Sequence, residues 1–164
     1  MKKLLLILAL VFCVSTSYAQ EITTYYLIRH AEKQRTDPNN YDPELTKEGH
    51  ERAEKWAQIL QDIPLDAVYS TDYKRTISTA QPTANDQSLE IASYDPRELF
   101  SPTFQKATTG KTVLVVGHSN TTPVFVNKII GQEKYPHMDD GDNGSLYIVT
   151  LVGKAVTDVV LRMD

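Results

Sequence analysis

Two short apolar runs in this chain stop at a histidine, and they limit what it can fold into more than any other feature. Tyr25, Tyr26, Leu27 and Ile28 lead into Arg29-His30, and Val113, Leu114, Val115 and Val116 lead through Gly117 into His118. Runs of this length, rich in β-branched and aromatic residues and bounded by polar ones, suit strands buried on both faces. Strands of that kind need helices on both sides of their sheet, and in open α/β sheets ligands bind outside the carboxyl ends of the strands. Arg29, His30 and His118 are therefore expected to emerge along one edge of a mostly parallel sheet.

The segments between the runs fit such a sheet. A loop rich in turn formers over 36–43 is long enough to fold over a site. Thr46 can cap a helix in which Ala53, Trp56, Ala57 and Leu60 recur at the spacing of a buried face, with Pro64 closing it. Residues 65–70 read as a short strand, and Ser70-Thr71-Asp72 supplies cap residues for a helix carrying Arg75 in its first turn. Pro82 should kink or end that helix, because proline cannot donate to the carbonyl one turn back. A third strand over 89–94 and a short helix near 101–109 are expected next. After His118, the run Ser119-Asn120-Thr121-Thr122 offers N-caps to a helix that buries Phe125, Ile129 and Ile130 and stops at Gly131. Residues 145–152 and 155–161 around Gly153-Lys154 predict a β-hairpin.

The first nineteen residues stand apart from this pattern. Lys2-Lys3, an apolar stretch over 4–14 and Ser17-Tyr18-Ala19 before Gln20 have the layout of a secretory signal, with cleavage after Ala19. The stretch is too short to span a bilayer, and no later segment is long enough to try. Phe12 precedes Cys13, where a lipoprotein would carry a small residue. Cleavage would leave residues 20–164, a comfortable size for one domain, with export to the periplasm or beyond. It would also remove the only cysteine, so the remaining chain could form no disulfide. Without Lys2 and Lys3 the 17 basic residues become 15 against 21 acidic ones, a formal net charge of −6. That balance argues against nucleic acid as a partner, and any anion must be held by a local cluster of cations.

Arg29, His30, Arg75 and His118 provide such a cluster if the strand-then-helix units bring them together. Two arginines can fork onto phosphoryl oxygens, and helix N-termini near Arg75 and Ser119 add amide donors. A neutral imidazole in that setting can attack phosphorus in line. Leu27-Ile28-Arg29-His30-Ala31-Glu32, Leu45-Thr46-Lys47-Glu48-Gly49, Ser70-Thr71-Asp72-Tyr73-Lys74-Arg75-Thr76 with Thr79-Ala80, and Val116-Gly117-His118-Ser119-Asn120 resemble, in order, the motifs of the histidine phosphatase (phosphoglycerate mutase-like) superfamily. The resemblance implies a three-layer α/β/α sandwich and a phosphomonoester hydrolase with no metal or other cofactor. It also implies His30 as nucleophile, Arg29 and Arg75 as phosphate clamps and His118 as a second imidazole on the phosphoryl group, with Asn120 beside it. The substrate would be a small phosphorylated molecule or a phosphorylated glycan or protein.

The proton donor to the leaving group is less determined. Glu98 stands in an acidic-apolar context, Glu98-Leu99-Phe100, somewhat like that of the family's acid, but the aromatic and glycine residues that usually follow are missing. Asp95 competes with it. Glu32 is a third candidate for a site role, or a group that orients Arg29 or nearby backbone. His50, among Glu48, Glu51 and Arg52, fits a solvated helix face. His137 near Asp139, Asp140 and Asp142 lacks regular metal-ligand spacing. Rival readings are a mutase, which would need a retained bisphosphorylated cofactor, and a non-catalytic phospho-ligand module. A metal hydrolase using His30, Glu32 and His118 is disfavoured, because flanking cations repel a metal ion.

Overall fold

The computed structural model describes residues 21–163, so the expected signal segment lies outside the described residues. Six strands and four helices follow one another as β1 (Ile22–Arg29), α1 (Lys47–Leu60), β2 (Ala67–Ser70), α2 (Lys74–Asp86), β3 (Ile91–Ser93), α3 (Pro102–Thr108), β4 (Thr112–Gly117), α4 (Thr121–Ile130), β5 (Ser145–Val152) and β6 (Ala155–Arg162). They build one sheet in the order β3-β2-β4-β1-β5-β6, parallel over its first four strands and antiparallel at β5 and β6.

Alternation along the two central strands divides the core into two layers. Tyr25, Leu27, Val113 and Val115 pack with Phe104 of α3 and Phe125 and Ile129 of α4 on one face. Ile28, Leu114 and Val116 pack with Trp56 and Leu60 of α1 and Ala80 and Ala84 of α2 on the other. The result is the expected three-layer sandwich with a C-terminal hairpin. Among the described residues no helix is long and apolar enough to cross a membrane.

The local signals for α1, for the end of α4 and for the hairpin are met, whereas Asn120 at the start of α4 makes no side-chain cap bond. Thr46 Oγ1 accepts from Gly49 N–H at 3.0 Å, and Gly131 takes the left-handed conformation (φ 68°) that ends α4. Gly153, with φ 58°, starts the two-residue loop between β5 and β6.

Three expectations give way to tertiary contacts. α2 runs through Pro82 to Asp86, because proline removes only its own hydrogen bond while Thr83 and Ala84 beyond it stay buried. Ser70, Thr71 and Asp72 do not cap that helix: the first residue outside it, Tyr73, makes no side-chain cap, and Asp42 Oδ1, reaching in from the 36–43 loop, accepts from Lys74 N–H at 3.0 Å. The third strand is shorter than residues 89–94. Ser88 adopts φ 55° and Leu89 N–H bonds back to Ala84 O at 2.8 Å, so Leu89 closes α2 instead of extending the sheet.

Candidate active site

β1 and β4 are neighbours in register, Arg29 opposite Gly117, so the residues that follow them leave the sheet side by side. His30 N–H continues the ladder onto Gly117 O at 2.9 Å, and the His30 and His118 rings lie 5.5 Å apart. Gly117 is required by crowding: a Cβ there would sit 2.8 Å from Thr122 Oγ1 and from Tyr94 Oη. A cavity of about 480 Å³ opens over this junction, lined among others by Arg29, His30, Lys33, Arg75, His118 and Asn120.

The two arginines are held differently. Arg29 is buried, and its Nη1 donates to the carbonyls of Asp139, Asp140 and Asp142 at 2.9–3.1 Å, while Nη2 pairs with Asp140 Oδ1 at 3.2 Å. Arg75 lies 4.4 Å over the Tyr73 ring and makes only long 3.4 Å contacts, to Tyr41 O and Asp42 Oδ1. The Nε atoms of both are buried with no partner among the described residues. Buried donors left unmade are costly, and an anion between the two arginines is what would repay them.

Hydrogen-bond direction fixes the state of each histidine. The Ala31 carbonyl can only accept, so at 2.8 Å it holds His30 with its proton on Nδ1 and leaves the Nε2 lone pair free. For His118 the chain of hydroxyls decides. The single Thr76 hydroxyl proton is shared between the carbonyls of Thr71 and Tyr73, so Thr76 Oγ1 accepts from Thr71 Oγ1 at 2.9 Å, and Thr71 Oγ1, its own proton spent there, accepts from His118 Nε2–H at 3.0 Å. Nδ1 of His118 is then the unprotonated nitrogen.

Both imidazoles are kept neutral. Burial, then the Arg29, His118 and Arg75 charges, push His30 from 6.5 down to about 3, against the pull of the Ala31 hydrogen bond. Burial, then Arg75, Lys33 and Arg29, push His118 down to about 4. A depressed histidine disfavours the folded state where the unfolded chain takes up a proton and the folded one does not. This cost is absent above about pH 6.5 and grows as pH falls toward 4 and then 3. The expected result in a histidine ring NMR titration is that His30 and His118 stay neutral between pH 7.5 and about 5. A midpoint near 6.5 for His30 would contradict this geometry.

The remaining sequence candidates are distributed unevenly. Asn120 lines the cavity, and its side chain makes no cap bond to α4, which leaves its amide available. Glu98 is exposed and lines a separate groove with Tyr69, Ser101 and Phe104, not the histidine cavity. Asp95 lies in the neighbouring cleft, where Arg97 grips both its oxygens at 2.7–3.2 Å and holds its carboxyl down to about 2. Glu32 also points elsewhere: its Oε1 pairs with Arg52 Nε at 2.6 Å, and its carbonyl accepts from Thr46 N–H. It does not orient Arg29.

Lys33, Asp140 and Thr71 were missed by the sequence reading. Lys33 adjoins the Arg-His motif and shows no hydrogen bond or ion pair from its amine among the described residues; burial and the nearby Arg75 and Arg35 charges lower its pKa. Its position beside Arg29-His30 was the available signal. Asp140 is the sole carboxylate lining the cavity among the described residues, and Arg35 and Arg29 hold it ionised. The carbonyls of Asp139, Asp140 and Asp142 that grip Arg29 leave no mark in the sequence.

Comparison with known proteins agrees with this geometry. A model described as histidine phosphatase superfamily (branch 1) matches residues 25–97, which include Arg29, His30 and Arg75. Phosphoserine phosphatase 1 of Hydrogenobacter thermophilus is 29% identical over 114 residues, a match that takes in 67% of this chain and 46% of that protein. The chain thus spans about half the length of the curated relative it matches. Two solved structures share the fold. Phosphoglycerate mutase from Bacillus anthracis superposes with a TM-score of 0.66 at 16% identity, over 87% of this chain and 94% of that one. A mutant phosphoserine phosphatase from Entamoeba histolytica, in complex with phosphoserine, superposes with a TM-score of 0.61 at 19% identity, over 84% and 94%. Motif order, strand-end histidines and the match over residues 25–97 thus agree in making this chain similar to the histidine phosphatase superfamily.

Proposed function

We propose that this chain is an exported, metal-independent phosphomonoester hydrolase that works through a phosphohistidine at His30. The observation that carries the reading is the state of His30: neutral, with Nδ1–H fixed on Ala31 O and the Nε2 lone pair free in a cavity lined by Arg29, Lys33, Arg75 and His118. Nε2 attacks phosphorus, the bond to the leaving oxygen breaks, and its electron pair departs on that oxygen. Arg75 and Arg29 steady the equatorial oxygens. A dianion also favours a proton on His118, which then donates Nδ1–H to the phosphoryl group while Nε2–H stays on Thr71. Because Nδ1–H remains on the Ala31 carbonyl, the phosphorylated ring keeps its positive charge and leaves readily when water attacks phosphorus.

No carboxyl group in the cavity supplies a proton to the leaving oxygen in this mechanism. Glu98 faces another groove, and Asp95 and Asp140 are held ionised by arginines. General acid catalysis is worth about 10²–10⁴-fold, so a site without it favours leaving groups that depart unprotonated, such as phenolates, acyl groups or the nitrogen of a phosphohistidine. Hydrolysis of an aryl phosphate with EDTA present is the expected result, with alkyl phosphates slower by about 10²-fold or more. Asp95→Asn and Glu98→Gln should leave that ratio unchanged. Activity that vanished on chelation and returned with zinc or magnesium would overturn the metal-free mechanism, and an amide variant that slowed only alkyl esters would identify a dedicated acid.

Export rests on Lys2-Lys3, the apolar stretch over 4–14 and the small residues before Gln20. The mass of protein recovered from outside the cytoplasm is expected to correspond to a chain beginning at Gln20. Recovery of an uncleaved chain from the cytoplasm would refute it.

A further inference from the structure

We infer that the chain forms a two-fold dimer by antiparallel pairing of β6 with β6 of a second copy. β6 is the outer strand of the sheet, eight residues long, with no proline, lysine or bulge to blunt its edge. The two-residue loop makes Val152 and Ala155 a hydrogen-bonded pair, so pairs alternate from there along the hairpin. Val156, Asp158, Val160 and Arg162 consequently turn their N–H and C=O groups outward, away from β5.

One two-fold register uses these groups and complements the side chains. Centred on Val160, it sets Val160 against Val160 of the second copy and Asp158 against Arg162 of the second copy. Both are outward-bonding positions and therefore form hydrogen-bonded pairs. The charges are complementary, because Asp158 and Arg162 are the two ionised side chains of the strand. Asp158 receives Lys134 Nζ, at 2.5 Å, and Tyr135 Oη on its Oδ2 alone, which leaves Oδ1 for the incoming guanidinium. On the opposite face the same register sets Val159 against Leu161 of the second copy.

That opposite face is where apolar surface stands uncovered. Tyr26, Ile148 and Val159 form one row across β1, β5 and β6, and Ile28, Leu146 and Leu161 the next. α1 and α2 bury the β1 end of these rows, but Val159 and Leu161 are 48% and 40% exposed. Pairing about Val160 joins the rows of two copies end to end and makes one twelve-stranded sheet. Cross-strand apolar and opposite-charge pairs each add to such an interface. β6 lies at the sheet edge remote from β2 and β3, so both cavities stay open to substrate.

Sedimentation velocity across the micromolar range tests this, with the expected result of a dimer. Val159→Lys, at an exposed position outside the catalytic machinery, should sediment as a monomer while retaining aryl phosphate hydrolysis. Register is read by cross-linking in a Cys13→Ser background. A mixture of Val159→Cys and Leu161→Cys chains should form a disulfide-linked heterodimer, since directly opposed non-hydrogen-bonded residues sit about 4.5 Å apart. Either variant alone should not, because its own thiols lie about 7–8 Å apart on the diagonal. A monomer at every concentration, a dimer that survives Val159→Lys, or equal cross-linking in the single variants would overturn the inference.

Discussion

Replacing His30 with alanine is expected to lower kcat for an aryl phosphate by about 10⁴-fold or more, with little change in stability at neutral pH. The size follows from removing the group that forms the new bond, since no neighbouring residue can take over attack at phosphorus. In the proposed mechanism His118 does not, because Nε2 is committed to Thr71 and its remaining nitrogen would serve the phosphoryl oxygens. His118→Ala should therefore cost less and leave a trace of phosphoryl-enzyme. The fold should survive the loss of the His30 ring. The contacts that knit this segment to its neighbours are made by backbone atoms: His30 N–H onto Gly117 O, and His30 O accepting from Asn143 Nδ2 at 2.9 Å. If His30→Ala kept even a tenth of the activity, another nucleophile would be at work.

Arg75→Gln is expected to reduce kcat/KM by on the order of 10²–10³-fold without unfolding the protein. The contrast with Arg29 is the reason. Three carbonyls and Asp140 already occupy Arg29, so its loss would strand buried acceptors and loosen residues 139–142 as well as the site. Among the described residues Arg75 has only two 3.4 Å contacts and its stacking on Tyr73, so most of its donors are left for substrate. Lysine should rescue poorly, because a point charge cannot fork onto two oxygens. The check is steady-state kinetics beside a thermal melt. An Arg75→Gln protein that melted normally and turned over normally would remove Arg75 from the phosphate clamp.

The site was legible in the sequence where its residues sit at the ends of regular elements. Arg29-His30 and Gly117-His118 end buried strands, and Arg75 opens a helix, so pattern and topology together placed them on one edge. The fold was legible for the same reason: alternation in β1 and β4, the Thr46 cap and Gly131 are local signals. What escaped detection depends on groups that carry no residue-specific signature or that meet across long separations. Arg29 is gripped by main-chain carbonyls 110 to 113 residues away, and α2 is capped by Asp42 from 32 residues upstream. The stretch from Asp95 to Glu98 has no periodicity to orient its carboxylates, and its orientation is set by the Asp95–Arg97 ion pair and the close packing of Leu99 and Phe100.

Rapid acid-free quenching during turnover of ³²P-labelled aryl phosphate, followed by peptide mapping, tests the central claim most directly. The account predicts an acid-labile, alkali-stable label on the peptide containing His30, attached to Nε2, and its absence from His30→Ala. Label on His118, on a serine or on an aspartate, or full turnover with no covalent intermediate at any time, would contradict it.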